Sequence, residues 1–411
     1  MGFHGGMPHF VLSRRAFTAL LTGCALGGCS SEGPGAPSGG SARDAVSRAY
    51  TFLDRRVDEA AGRPGGLPRS YTGGYMARHH SKVAFTYDVA LVIIAYCRRG
   101  RDADLERAAE LSRTLVALQE RDPEDDGRLR QSYESGRPPS GAQVPKAAAG
   151  DVFTGTLAWA GLALLHAHRA TGTAAFRSGA LRAAGWIQDT VFRSTGTAGY
   201  AGGVDSAGKA VAWRSSEHNA DVAGFFRALG AAVDDTAWGD RADTAAAFLD
   251  AMWDEERGAF WTGTGTDGST VNRGPVPEDP QTWSYLATRD ARHEKSLDWA
   301  LRELAAEDGG FVGVSFSDAD TSKVWFEGTG HLVCALRARN GDGDRARADR
   351  LLASLRAAQS GAPGADGHGL VAASSDGLDT GDGDRLYASL HTGTTAWFAL
   401  AGQGADPFVL D

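Results

Sequence analysis

A short signature recurs six times along the chain and limits the fold more than any other feature. The copies are Phe85-Thr86-Tyr87-Asp88, Phe153-Thr154-Gly155-Thr156, Ser216-Glu217-His218-Asn219, Pro280-Gln281-Thr282-Trp283, Phe326-Glu327-Gly328-Thr329 and His391-Thr392-Gly393-Thr394. Measured at the second residue of each, they lie 68, 63, 64, 46 and 65 residues apart. Such recurrence marks a unit that cannot bury its apolar face alone and must stack on its neighbours. Behind each signature runs a segment of small apolar residues, such as 89–96 or 157–166. These are apolar on nearly every side and are predicted as buried helices. Segments 45–59, 103–120, 174–192, 240–254, 291–306 and 345–358 instead carry charge along one face, the pattern of an outer layer. Links from buried to outer segments are short (98–102, 170–173), whereas return links are long (121–150, 362–390). Long loops therefore gather at one end, where a rigid scaffold builds sites. The expected fold is all-α: an (α/α)6 toroid of six helical hairpins, an inner ring within an outer ring.

Composition excludes several functions. With 42% hydrophobic and 23% charged residues in 411, the chain can bury a large core and is not disordered. Lys and Arg total 42 against 51 Asp and Glu, a formal charge of −9, so nucleic acid is not an expected partner. The 4 Cys form no disulfide framework and no cluster with zinc-ligand spacing. Cys97 and Cys334 fall in apolar helices and are expected as buried free thiols. No metal or cofactor is expected, and the chain is expected to be a monomer.

The first 28 residues have the pattern of an export signal. Ser13-Arg14-Arg15-Ala16-Phe17 precedes an apolar run, 18–28, that is short of the roughly 20 residues needed to span a bilayer. The arginine pair resembles a twin-arginine signal, which exports folded protein. Two lipobox-like sites overlap the run, Leu21-Thr22-Gly23-Cys24 and Leu26-Gly27-Gly28-Cys29. Cys29 is favoured for lipidation because it leaves the longer apolar stretch and opens a flexible polar tether, 29–42, ahead of the domain at 43–411. The protein is thus expected outside the cytoplasm, either secreted or held to the outer face of the membrane by a lipid anchor alone. Residues 1–28 hold two arginines and no acid, so cleavage takes the charge from −9 to −11.

The hairpin pattern over 43–411 resembles the six-hairpin (α/α) toroid of the six-hairpin glycosidase superfamily. Three segments are similar to ones in its exported bacterial members: 213–221 (Trp213 to Asp221), Trp325-Phe326-Glu327-Gly328-Thr329-Gly330, and 395–401 with Asp406-Pro407-Phe408. The resemblance implies a carbohydrate substrate and, as the first expectation, glycoside hydrolysis. A terpene-cyclase toroid has the same helix count, but the chain carries neither its D-x-D-D acid motif nor its D-D-x-x-D metal motif.

The six signatures open the inner helices directly after the long loops, so their side chains are expected to ring the mouth. That ring is acidic and aromatic, as glycoside cleavage requires: one carboxyl protonates the leaving oxygen, another activates water or attacks, and flat rings pack against sugars. Glu217 and Asp221, four apart, share a helix face, and two such neighbours raise one pKa. Glu217 is therefore the candidate acid, against a plain role at a helix N-terminus. Glu327 is the candidate base or nucleophile, with two following glycines expected to admit a ligand; its competitor is Asp88, which equally suits a helix cap. Tyr87, Asp151, Trp213, His218, Asn219, Asp221, Asp279, Trp283, Trp325 and His391 are candidate substrate-binding residues, although Asp151 equally suits a loop brace and Asp279 a turn.

Two other functions fit the same ring. His218 beside Asn219 and near Tyr87 suits a lyase acting on a uronate glycan, although Arg214 is the lone cation in a signature segment. A non-catalytic glycan-binding lipoprotein would keep the aromatics without the acid/base geometry. Asn340-Gly341-Asp342-Gly343-Asp344 fails the EF-hand pattern at Arg345 and Leu351, while the acidic loop 376–384 has the composition for a casual cation.

Overall fold

The computed structural model describes residues 41–61, 65–80, 82–138 and 142–410. Arg14, Arg15, Cys24 and Cys29 of the expected signal lie outside them. The α-helices are α1 (Ala42–Ala60), α2 (Gly74–His79), α3 (Thr86–Arg99), α4 (Asp102–Arg121), α5 (Thr154–Thr171), α6 (Ala174–Trp186), α7 (Ser216–Val233), α8 (Thr236–Met252), α9 (Asp279–Thr288), α10 (Lys295–Glu303), α11 (Phe326–Arg339), α12 (Asp344–Gly361) and α13 (Thr392–Gln403). The helices α3, α5, α7, α9, α11 and α13 pack on one another in that order, and α13 packs on α3 to close the ring. Outside it, α4, α6, α8, α10 and α12 each pack on the inner helix before them, while α1 covers α13.

Burial explains which helices go inside. Every residue of α5 from Thr154 to Ala167, and of α13 from Thr392 to Ala401, is buried. A helix apolar all round needs neighbours all round, and a closed ring inside a second ring supplies them. The short links follow from the way each inner helix stops. Gly100, Gly172, Asp234, Arg289, Asn340 and Gly404, with φ between 52° and 70°, terminate the six inner helices in the left-handed conformation. Such a cap satisfies the last carbonyls and turns the chain at once toward its outer partner.

At the opposite end the long connections pair with one another in small antiparallel ladders. Val83–Phe85 pairs with Ser132–Glu134, Val152–Phe153 with Gly203–Val204, and Tyr71–Thr72 with Leu390–His391. Single bridges join Ser215 to Gly263 and Trp325 to Ala373. The residue before an inner helix is thereby tied to a different connection, which holds the signatures in register around the axis.

Two outer segments differ from the sequence expectation. The helix expected over 291–306 is a 3-10 turn, Ala291–His293, followed by α10; Ala305–Asp308 then pairs with Phe311–Val314 around Gly309 and Gly310, both at positive φ. The helix expected over 174–192 stops at Trp186 and ends in a π turn, Ile187–Val191.

The segment after α13 seals the capped end. Arg289 pairs with Asp406, His166 Nε2 lies 2.7 Å from the Pro407 carbonyl, and the Phe408 ring lies 5.0 Å from that of Trp159. Gly224 faces the Phe408 ring, and a Cβ there would collide with it. No described helix is long and apolar enough to cross a membrane. Phe408→Ala should cost about 3–5 kcal/mol, as for other buried aromatic truncations. Urea unfolding of the two proteins checks this, and an unchanged midpoint would show that the segment seals nothing.

Candidate active site

A cavity of about 690 Å³ lies at the loop end of the inner ring. Tyr87, Trp213, Glu217, His218, Asp221, Asp279, Trp283, Trp325 and Glu327 line it, with Trp159 of α5 and the loop Thr380–Gly383. Four further sequence candidates do not. Asn219 is fully buried and braces a connection: its amide donates to the Tyr200 and Ser215 carbonyls and accepts from the Tyr200 N–H. Asp151 accepts from the Ser206 N–H and braces its loop. Asp88 and His391 stand behind Glu327. The first turn of a helix points successive side chains about 100° apart, so a four-residue signature cannot send every member toward the axis.

Glu327 is the most supported group in the site. Tyr87 donates its hydroxyl proton to Oε1 at 2.9 Å, itself receiving the Trp397 indole N–H at 2.8 Å. Thr394 Oγ1 lies 3.1 Å from Oε2 and His391 Nδ1 lies 3.2 Å from it. On the far side, His391 Nε2 meets Asp88 Oδ2 at 3.2 Å, and Tyr71 stacks on the imidazole at 4.3 Å. His391 Nδ1 is also 3.2 Å from the Thr394 N–H, a contact that would need a bare nitrogen. Carboxylates on both sides of the ring favour a proton on each nitrogen instead. Burial opposes that charge, but Asp88 and then Glu327 outweigh it and raise His391 to about 10. In turn, burial works to raise Glu327, yet the hydrogen bond and charge of His391, with His331 and Tyr87, hold it below the usual range.

The opposite wall behaves in the other sense. Burial pushes Glu217 well above the carboxylate range, and the charges of Asp279, Asp382 and Glu327 push it further. Asp221 is raised by burial and then by Glu217 and Asp279, and Asp279 by burial and then by Glu327. One cavity thus holds an ionised carboxylate facing carboxylic acids that keep their protons. His218, from the same turn as Glu217, is lowered by burial to about 4 and is a neutral imidazole whose Nδ1 has no hydrogen-bond partner.

The glycines of the signatures make this crowding possible. A Cβ on Gly155 would stand 2.6 Å from Asp221 Oδ2 and from the His218 ring, and one on Gly393 would stand 2.5 Å from Asp88 Oδ1. Gly328 is covered by the ring of Trp325 and Gly330 faces Trp397, so these two glycines admit tryptophans and not, as expected from the sequence, a ligand.

Sequence reasoning passed over Glu278 and His331. His331 follows Glu327 by one helical turn, a spacing that was there to be read, and its Nδ1 lies 3.0 Å from Glu278 Oε2 and 3.3 Å from Asp279 Oδ1. Burial lifts Glu278 to about 7 against the pull of His331. The three residues offer atoms within 4.8 Å of one another, and the His331 Nδ1 contacts with Glu278 and Asp279 already span that space. At the outer cluster Asp250, Asp290 and His293, the Arg292 guanidinium pairs with both aspartates.

Neither a protein-family model nor a curated protein matches the sequence. Solved structures do match. A D-mannose isomerase is 12% identical with a TM-score of 0.63, over 86% of this chain and 97% of that one. A cellobiose 2-epimerase from Bacillus thermoamylovorans is 10% identical with a TM-score of 0.63, over 87% and 98%. A GH76 alpha-mannanase from Bacteroides thetaiotaomicron is 11% identical with a TM-score of 0.58, over 90% and 96%. The fold is the six-hairpin (α/α) toroid. At these identities the likeness extends to the fold alone.

The His391 clamp has a consequence for stability. Its folded pKa, about 10, lies above the ordinary 6.5, so its contribution is complete below about pH 6.5 and is lost as pH rises toward 10. Melting temperature should therefore fall across that window in the wild type and fall less in His391→Gln. Parallel curves for the two proteins would show that the imidazole carries no extra proton.

Proposed function

We propose that the protein is a glycoside hydrolase acting on a neutral oligo- or polysaccharide, with Glu217 as general acid and Glu327 as its base or nucleophile. The observation that carries this is two carboxyls with opposite surroundings lining one cavity: Glu327 held by Tyr87, Thr394 and His391, and Glu217 set among Asp279, Asp382 and Asp221 with no hydrogen-bonded cation among the described residues, surroundings that hold the first low and push the second up. Carboxyls whose environments push their pKa values apart are how a single site runs acid and base chemistry together. Glu217 would deliver its proton to the leaving glycosidic oxygen. Glu327, fixed by Tyr87, Thr394 and His391, would activate water or attack the anomeric carbon. Asp88 lies behind His391, which leaves Glu327 as the partner. Trp213 and Trp325 offer ring surface for sugars at the cavity wall. With Glu327 ionised and Arg214 the only lysine or arginine among the described lining residues, the cavity disfavours an anionic glycan.

A uronate lyase finds less support. Arg214 lines the cavity, but its guanidinium is bound to the carbonyls of Gly268 and Thr195. A second reading has a specific observation in its favour: the neutral, unpartnered imidazole of His218 could carry a proton in sugar isomerisation or epimerisation, the reactions for which two of the fold neighbours are named. We include export in the proposal, on the strength of Arg14-Arg15 and Cys29 alone. Arg14→Lys with Arg15→Lys should hold the precursor inside the cell, as cell fractionation would show, and undiminished export would remove the twin-arginine part.

For hydrolysis, kcat/KM should fall on the acid side as Glu327 takes up a proton and on the alkaline side as Glu217 loses one. Glu217→Gln and Glu327→Gln should each lower turnover about 10²–10⁴-fold on unactivated glycans, with sugar binding retained. Product analysis in deuterated water separates the readings: new reducing ends mean hydrolysis, carbon-bound deuterium means isomerisation, and unsaturated uronate means the lyase. Full activity in both variants would assign the chemistry to other residues.

A further inference from the structure

The cavity has a floor as well as walls, and its floor is polar where nothing in the protein meets it. Helix geometry layers the site. Glu217, Asp279 and Glu327 occupy first turns, while Asp221, Trp159 and Trp283 lie one turn deeper, about 6 Å for four residues. Below them the tryptophans close on one another and on the terminal plug. Trp159 lies 5.7 Å from Trp397 and 5.0 Å from Phe408, and Trp283 lies 6.1 Å from Trp397. A glycan cannot thread past these rings.

In this deep layer both carboxyl oxygens of Asp221 and the indole N–H groups of Trp159 and Trp283 have no hydrogen-bond partner, although the residues are 2%, 1% and 3% exposed. The Trp159 indole N–H lies close enough to the Asp221 carboxyl to lower its pKa, but short of the distance and angle of a full hydrogen bond. Buried polar groups are paired in folded proteins, and an orphan costs about 1–3 kcal/mol, so several together around a cavity indicate a partner that arrives from outside. Donors and an acid at the bottom of an aromatic pocket match the hydroxyls and apolar face of a neutral sugar ring. Gly155 belongs to the same device, because its missing side chain is what lets Asp221 and His218 reach this depth.

On the strength of the glycan-cleaving function proposed above, we infer that the pocket takes its substrate end-on, seating one terminal neutral sugar between the Glu217–Glu327 layer and the floor of Asp221, Trp159 and Trp283. Cleavage then falls at the first linkage, and the product is a monosaccharide. Asp221, which touches that sugar and not the broken bond, decides which sugar is accepted.

Two measurements test this, one of them independent of hydrolysis. The first follows digestion of neutral oligosaccharides of two to six units labelled at the reducing end. Monosaccharide should be released one unit at a time from a single end, the label either staying on a ladder of chains that shorten by one unit or leaving with the first monosaccharide; internal fragments appearing first would overturn the proposal. The second titrates monosaccharides (glucose, mannose, galactose) into Glu217→Gln and follows tryptophan fluorescence. At least one should bind saturably, and adding Asp221→Asn should weaken it about tenfold while the melting temperature stays put. In the active enzyme the same Asp221→Asn change should raise KM by a similar factor and leave kcat within about threefold. A monosaccharide that binds in an Asp221-dependent way without any hydrolysis would keep the end-on pocket and remove the hydrolase. Longer glycans that bind where no monosaccharide does, or internal cleavage, would remove the pocket and keep the hydrolase.

Discussion

The packing of α13 against α3 is the contact on which everything else rests. Each inner helix is apolar nearly all round and is stable only with a neighbour on both flanks and an outer helix behind it. Five of the six seams in the ring join consecutive hairpins, and the sixth joins the two ends of the described chain. Until that seam forms, α3 and α13 expose faces that have no other partner, and the signatures of the first and last hairpins have nothing to fix their mutual position. The bridge of Tyr71–Thr72 to Leu390–His391 fastens the same seam at the loop end. Fold and site therefore share one closure.

The site is built from charge that the ring would otherwise find expensive. Burying several carboxyls around one cavity is tolerable because most of them keep their protons. The one that gives its proton up, Glu327, is paid for by an imidazolium with a second carboxylate behind it. The arrangement Asp88, His391, Glu327 keeps net charge low while fixing the orientation of a single oxygen pair, which is the preorganisation that acid/base chemistry needs. The aromatic rings beneath it exclude water and make each of these interactions stronger than it would be at a surface.

Much of the architecture was legible because the signatures repeat and the apolar segments behind them lack a polar face. The uneven copy spacing did not obscure this; the shortest interval, before α11, reflects the short helices α9 and α10 together with a slightly shorter connection. The functional half of the site was legible in part. Glu217, Asp221 and Glu327 share helix faces with their signatures and point inward, as spacing implies. Asn219 has the same credentials on paper and points to Tyr200 instead, because a one-residue step turns the side chain by 100°. Glu278 meets His331 only through the packing of α9 on α11, and Asp382 enters from a loop without periodicity. Strands two residues long leave no alternation to detect, and Gly309-Gly310 cut short a helix whose charges alone suggested that it continued. The glycines were visible as unusual, but their purpose, making room for another helix's carboxyl or indole, is a property of pairs of helices.

His391 and Asp88 are separated by 303 residues along the chain and meet across the closing seam. The proton between them is thus shared by the first and the last inner helices. It exists only in a completed circle, so the same hydrogen-bonded pair that keeps Glu327 charged also registers whether the ring has shut. A chain with five hairpins in place and the seam open would hold most of its helices and much of its core, yet Glu327 would lack the neighbour that keeps it ionised. The Asp88–His391–Glu327 arrangement therefore arrives in one step, with the last seam of the ring.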